Sequence, residues 1–171
     1  MDYQNAVCKG MAAAEVEKRG VLQNARKCLE AARKAKVTVI HVRVAIDREH
    51  SLRTSRSKRF ETFEQSGAMQ LGTADTEFCE EVKPIAGEPI VSKGCVNPFI
   101  GTALTELLIG RRAGELYLAG VVTNMVVESA LRHAAAPKVR VRDARLAPCR
   151  VHNHETMQKG SGIRRAAANA G

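Results

Sequence analysis

The sequence contains no tryptophan, and aromatic residues make up only 4% of its 171 positions. A core without large rings must be built from Val, Leu, Ile and Ala. The same scarcity removes the stacking platforms that single-stranded nucleic-acid binders use. No apolar run approaches the roughly 18 residues of a membrane-spanning helix. No basic start followed by an apolar stretch and a small-residue cleavage site is present either, so a cytoplasmic protein is expected. Cysteine is scattered rather than patterned: Cys8, Cys28, Cys79, Cys95 and Cys149 are odd in number and include no Cys-x-x-Cys pair. That argues against a disulfide framework and a zinc knuckle, and leaves small core filling as the expected role.

What remains is a globular composition, 44% apolar and 26% charged, at a length that suits one domain. The net charge of +9 is unevenly spread, because Lys138 to Gly171 carries eight basic side chains against Asp143 and Glu155. A second basic run, "REHSLRTSRSKR", spans Arg48 to Arg59. Such runs attract phosphate or carboxylate, but without an aromatic platform or a helix-turn-helix signal they read as solvated loops and a tail. Nucleic acid and membrane are therefore not expected partners.

Along the chain, Val21, Ala25, Cys28, Leu29 and Ala32 recur at intervals of three and four and predict an amphipathic helix over 21–35. "VTVIHVRV", Val37 to Val44, predicts a strand buried on both faces. Ser51 to Gly72 is polar, basic and weakly periodic, a long excursion with one helical turn. "GEPIVSKG" predicts a short strand ending at Lys93, with Pro89 at its start where no ladder donor is missed. Thr102 is placed to cap a helix that buries Leu104, Leu107 and Leu108. "ELYLAGVV" reads as a buried strand, and Val127, Ala130, Leu131 and Ala134 share one face of the helix after it. "KVRVRDA" alternates Val with Arg, as a half-exposed edge strand would. Alternating strands and helices predict an α/β fold with a mainly parallel sheet, whose chemistry gathers at the carboxyl ends of strands.

Three such ends carry a resemblance. "MDYQN" is similar to the Asp-x-Gln-Asn turn of the isochorismatase-like hydrolases, the cysteine hydrolase superfamily. "EPIVSKGCVNPFIGTALTELL" resembles the family's Lys strand and the Phe-x-Gly-Thr-x-Leu entry to a helix. "ELYLAGVVTNMVVESALRHAA" resembles its Gly-Val-x-Thr-Asn turn. The likeness implies a three-layer α/β/α Rossmann-like fold in a single domain, 1–171, usually a homo-oligomer (dimer or tetramer), that hydrolyses a small molecule without a cofactor.

It also implies an Asp, Lys, Cys triad. Asp2 and Lys93 match its first two members, and the family's Cys falls on Val126. A cis peptide at Val121–Val122 is implied, with turn amides at Val122 and Val126, beside Thr123 and Asn124, cradling an oxyanion. Gln4, Arg43 and Phe99 are the expected substrate contacts, with the 48–59 run, for an anionic substrate. Valine has neither lone pair nor proton, which excludes covalent thiol catalysis at 126.

Three readings stay open. Asp2 acts as a general acid on a vinyl ether, as in family members that hydrolyse isochorismate; this needs it protonated in the complex, which Lys93 opposes and burial and substrate carboxylates favour. Alternatively, activated water hydrolyses another small substrate. In the third, the fold has lost its chemistry and serves as a binding or structural subunit. Cys95 is read as a packed thiol, and no metal is assigned to Asp47, His50, His152 or His154. His41 and His133 are read as packing or hydrogen-bonding residues. The strand that should precede Asp2 is not in this sequence, which is therefore expected to be part of a longer chain; otherwise another segment fills its slot in the sheet or Asp2 lies elsewhere. The region past Ala144 lacks the family's sixth strand.

Overall fold

The computed structural model describes residues 1–47 and 57–135, and the backbone of 140–143. The basic segment 48–56, His50, Cys149, His152, His154 and the basic stretch beyond 143 lie outside the described residues. Within them the fold is α/β with a small parallel sheet. A π-helical turn, Ala6–Met11, leads into α1 (Ala13–Lys18) and α2 (Val21–Lys34). Then come β1 (His41–Val44), α3 (Lys58–Ser66), β2 (Ile90–Lys93), α4 (Leu104–Gly110), β3 (Glu115–Leu118), a π-helical turn at Thr123–Val127, α5 (Glu128–Ala134) and β4 (Arg140–Asp143).

The named strands form two parallel pairs rather than one continuous sheet. β1 runs beside β2 with Val44 opposite Lys93, and β3 beside β4 with Leu118 opposite Asp143. The first two residues lie between the pairs. Asp2 N–H donates to Val42 O at 2.8 Å, while Met1 O accepts from Val121 N–H at 3.2 Å and the Met1 nitrogen donates to Ala119 O at 2.7 Å. Met1 and Asp2 thus bridge the two pairs. Gly120 makes this approach possible: a Cβ there would sit 2.9 Å from Val127 Cγ2 and 3.1 Å from Met1 O.

Two apolar clusters hold the layers. The larger joins Val7 and Cys8 to Val21, Leu22 and Ala25 of α2, and to Val44, Ile46, Phe60, Met69, Val82 and Val121. The smaller packs Leu104, with Leu107 and Leu108, on Val42 and Val91. On the face of α2 that the periodicity predicts, Val21 and Ala25 are buried and Cys28, Leu29 and Ala32 half-buried, and Thr102 Oγ1 accepts the Leu104 N–H that opens α4. Val127, just before α5, and Ala130 and Ala134 within it are buried as expected, and Leu131 is half-buried.

Three expectations need correction. β1 is half the predicted length, because its partner begins only at Ile90; the last upstream bond is His41 N–H to Pro89 O, and Val37 is 48% exposed. β3 alternates between exposed and half-buried residues instead of being buried, with Tyr117 turned outward. The excursion contains a nine-residue helix, α3, where one turn was expected. Its apolar face is only Phe60 and Phe63, edge to face at 5.8 Å, too narrow a stripe to stand out among charged neighbours.

One polar knot ties α2 to the start of both central strands. The Arg33 guanidinium grips both oxygens of Glu88 at 2.8 Å, and Glu88 Oε2 also meets His41 Nε2 at 2.7 Å and accepts from Ile85 N–H. Arg33 above all holds the Glu88 carboxyl at about 2, against the opposing effect of burial. Burial lowers the His41 pKa, with Glu88 pulling it back. Both groups therefore weaken the fold in acid. The His41 contribution declines below its ordinary 6.5 and that of Glu88 declines from 4.5 toward 2. We expect Glu88→Gln to cost about 2 kcal/mol at pH 7 and progressively less below pH 4, measured by urea denaturation. A difference that is constant from pH 7 to 3 would show that the knot carries no charge-dependent stability.

Candidate active site

Asp2 stands at the carboxyl end of the two-residue bridge with φ +62°, a left-handed conformation that short polar side chains tolerate best. It is 5% exposed, and its Oδ2 meets Lys93 Nζ at 3.2 Å. Lys93 ends β2, is 1% exposed, and gives a second proton to Cys95 O at 3.2 Å. Ninety-one positions apart in sequence, the two predicted partners are in direct contact. Asp2 Oδ1 is buried with no hydrogen-bond partner among the described residues.

Both side chains border a cavity of about 50 Å³, which Val126 and Val122 also line. Its remaining wall is apolar, from Val44, Phe60, Phe63 and Met69 among others, apart from one further charge, Arg59 of α3. The exposed Arg59 guanidinium rests 3.2 Å from Met125 Sδ at the edge of the cavity. Sequence reasoning named the basic run containing Arg59 but did not single out this residue or Met125. The hidden helix periodicity of α3 was the only available signal.

The turn after β3 is built differently from what the resemblance implies. No peptide bond among the described residues is cis, so Val121–Val122 is trans. The Val126 N–H donates to Val122 O at 3.1 Å, because Thr123–Val127 is already helical and its amides turn inward along the helix. The Val126 amide is thus not open to an oxyanion. Val121 is fully buried in the core, Thr123 begins the π-helical turn and Asn124 is exposed; none of the three borders the cavity.

Three predicted substrate contacts are engaged elsewhere. Gln4 is fully buried; its Nε2 donates to Val44 O at 2.8 Å and Asp75 O at 3.2 Å, and its Oε1 accepts from Val44 N–H at 2.7 Å. The carboxamide completes the backbone bonding of β1, leaving nothing for a ligand. Arg43 donates to Ser92 Oγ and Thr76 O and lies over the Phe78 ring. Phe99 stacks on His133 at 4.6 Å, beside the smaller core. Cys95 is packed as expected, with Sγ donating to Asn97 O at 3.1 Å. Among the described residues no group of three His, Cys, Asp or Glu is placed to hold a metal ion, and no helix is long and apolar enough to cross a membrane.

With this geometry in hand, comparison with known proteins defines the class. The family profile described as "Isochorismatase domain" matches residues 1–154, and the chain belongs to that family. It is 30% identical over 128 residues to the ureidoacrylate amidohydrolase RutB of Rhizobium rhizogenes, covering 68% of this chain and 52% of that protein. The chain thus spans about half the length of that curated relative. Among solved structures it is similar to an isochorismatase family protein from Desulfovibrio vulgaris, with TM-score 0.79 and 24% identity over 98% of this chain and 87% of that one. A cysteine hydrolase from Pseudomonas syringae superposes with TM-score 0.70 at 28% identity, covering 82% of this chain and 65% of that one.

Removing one member of a buried ion pair leaves the other without compensation. Lys93→Met is therefore expected to destabilise the protein by about 3–5 kcal/mol, and Asp2→Asn combined with Lys93→Met to recover part of that loss. Urea denaturation of the two single variants and the double variant measures the coupling. A loss below about 1 kcal/mol for Lys93→Met would mean that the pair does not form in solution.

Proposed function

We propose that this chain is a hydrolase of the isochorismatase family that acts on a small anionic molecule without a cysteine nucleophile. Asp2 is its general acid/base, Lys93 the charged partner, and Val126 occupies the position of the family thiol. The observation that carries this reading is the unpartnered, buried Asp2 Oδ1 at a cavity shared with Lys93 and Val126. A buried polar atom without a partner is costly to maintain, and a reacting group or water supplies the missing bond. A three-layer α/β/α arrangement and a homo-oligomeric assembly belong to the same proposal.

The curated relative's name, ureidoacrylate amidohydrolase, supports an acidic ureido or amide compound as the substrate class. In that chemistry Asp2 takes a proton from water, and the water oxygen forms a bond to the carbonyl carbon. Lys93 donates toward the developing oxyanion. Asp2 then returns the proton to the departing nitrogen as the C–N bond breaks, so no covalent enzyme intermediate is required. Arg59 at the edge of the cavity is the candidate for holding the substrate's carboxylate. On a vinyl ether the same Asp2 would instead protonate carbon, leaving an oxocarbenium ion for water to capture.

The size of the cavity favours a second reading. At about 50 Å³ it has room for a few waters rather than a whole substrate, as in a binding or structural subunit that kept the fold alone. Assaying the purified protein on acidic ureido and carbamoyl compounds, isochorismate and nicotinamide separates the two. The enzyme reading expects turnover of at least one, reduced roughly 10²–10⁴-fold by Asp2→Asn. Asparagine suits the left-handed backbone at this site but leaves the Lys93 ammonium unpaired, so the circular dichroism spectrum of Asp2→Asn is compared with that of the parent before its turnover is read. Val126→Cys is expected to keep or raise amidase activity. Undiminished turnover in Asp2→Asn would remove Asp2 as the acid/base, and no turnover of any compound would favour the structural subunit.

A further inference from the structure

The Lys93 ammonium carries three protons, and two of them have partners among the described residues. One goes to Asp2 Oδ2 and one to Cys95 O, each at 3.2 Å and both in the interior. Tetrahedral geometry at the nitrogen then leaves the third proton a single direction. That direction is set by the position of Cys95 O as much as by Asp2. Cys95 in turn belongs to the segment 94–102, which leaves β2 directly after Lys93.

The segment is tied down by its own polar groups and by one helix. Cys95 Sγ donates to Asn97 O at 3.1 Å, and Asn97 Oδ1 accepts the Phe99 N–H at 3.0 Å. With Oδ1 so engaged, the Asn97 carboxamide turns Nδ2 toward α5, where it lies 3.3 Å from His133 Nδ1. Nδ2 has only protons to offer, so this bond uses the Nδ1 lone pair and leaves the ring proton on Nε2. The same imidazole lies flat on the Phe99 ring, with 4.6 Å between centroids and 3° between planes. Helix α5 grows directly out of the turn Thr123–Val127, whose Met125 and Val126 line the cavity beside Lys93. One exposed side chain thus joins the Lys93 side of the cavity to the Val126 side.

We propose that His133 is a positioning residue for Lys93: through Asn97, Phe99 and Cys95 it fixes the direction in which the ammonium gives its third proton. The inference rests on the role assigned to Lys93 above. His133 touches no reacting atom. Its acceptor nitrogen and its ring face keep the segment 94–102 against α5, and that segment keeps Cys95 O where Lys93 meets it. Loss of an exposed imidazole removes little core packing, so the fold should survive it while the aim of the ammonium does not. A group misplaced by an ångström costs roughly a hundredfold in rate, and a smaller turn of the ammonium is expected to cost about tenfold.

Three variants divide the contact: His133→Ala removes both halves, His133→Asn keeps an acceptor near Nδ1, and His133→Phe keeps the stack. Nuclear magnetic resonance of protein labelled with 13C and 15N follows the Lys93 Cε and Nζ signals, assigned through bonds from the backbone. The expected result is a displaced Nζ signal in His133→Ala, brought back toward the parent by His133→Asn or His133→Phe, at an unchanged melting temperature. On a compound that the parent turns over, kcat of His133→Ala should fall about tenfold with KM within about twofold, and the variant that restores the signal should restore kcat. An unmoved Lys93 signal in His133→Ala overturns the inference, as does a displacement that neither partial variant reduces. Undiminished kcat beside a displaced signal overturns it too. Absence of turnover in the parent removes the hydrolase reading instead, and the Lys93 signal then decides by itself whether His133 places the ammonium.

Discussion

An ammonium and a carboxylate removed from water are the interaction around which this structure is arranged. Taking both Lys93 and Asp2 into the interior costs several kcal/mol per ion, and their mutual attraction offsets that only if the geometry is held. Three features hold it. The bridge Met1–Asp2 is hydrogen-bonded to Val42 on one side and Val121 on the other. The left-handed backbone at Asp2 turns the side chain away from the direction an extended chain would give it. The parallel register of β1 and β2 sets Val44 opposite Lys93, which delivers the amine to the end of the bridge.

The same constraint explains Gln4. Immediately past the bridge the chain must leave the sheet, yet the backbone of β1 at Val44 still requires partners on that side. The Gln4 carboxamide supplies both, accepting from Val44 N–H and donating to Val44 O as a neighbouring peptide unit would. A buried amide that satisfies a strand end fixes where the turn begins, and with it Asp2 two residues earlier. At the other end of the sheet, Glu88 performs a comparable task by joining Arg33 and His41, so β1 and β2 are anchored at both ends by polar groups on a mostly apolar scaffold.

Elements with strong periodicity or a capping residue were legible in the sequence: α2, α4 and α5, and the strand end at Lys93. The Asp2–Lys93 partnership was legible only through the resemblance, because no local pattern relates positions 91 residues apart. Other features depend on tertiary partners that a linear reading does not weigh. "VTVIHVRV" has strand composition throughout, yet pairing stops where β2 begins. Gln4 and Arg43 are polar residues near strand ends, where ligand contacts and backbone contacts look alike; the structure assigns both to backbone and scaffold groups. Helix α3 was obscured because two phenylalanines suffice to dock it, and a stripe that narrow is lost among basic and acidic neighbours.

The helical start at Thr123 gives Val126 its meaning. Once the turn after β3 enters helical bonding, the Val126 amide is directed into the helix and an isopropyl group faces the cavity. A thiol there would place a nucleophile at the cavity that the ion pair borders; valine places only bulk against its space of about 50 Å³. Polar chemistry at the site is thereby concentrated on one carboxylate oxygen, one ammonium and a guanidinium at the edge. In the proposed reaction the nucleophile therefore comes from outside the chain, and water is small enough for the space.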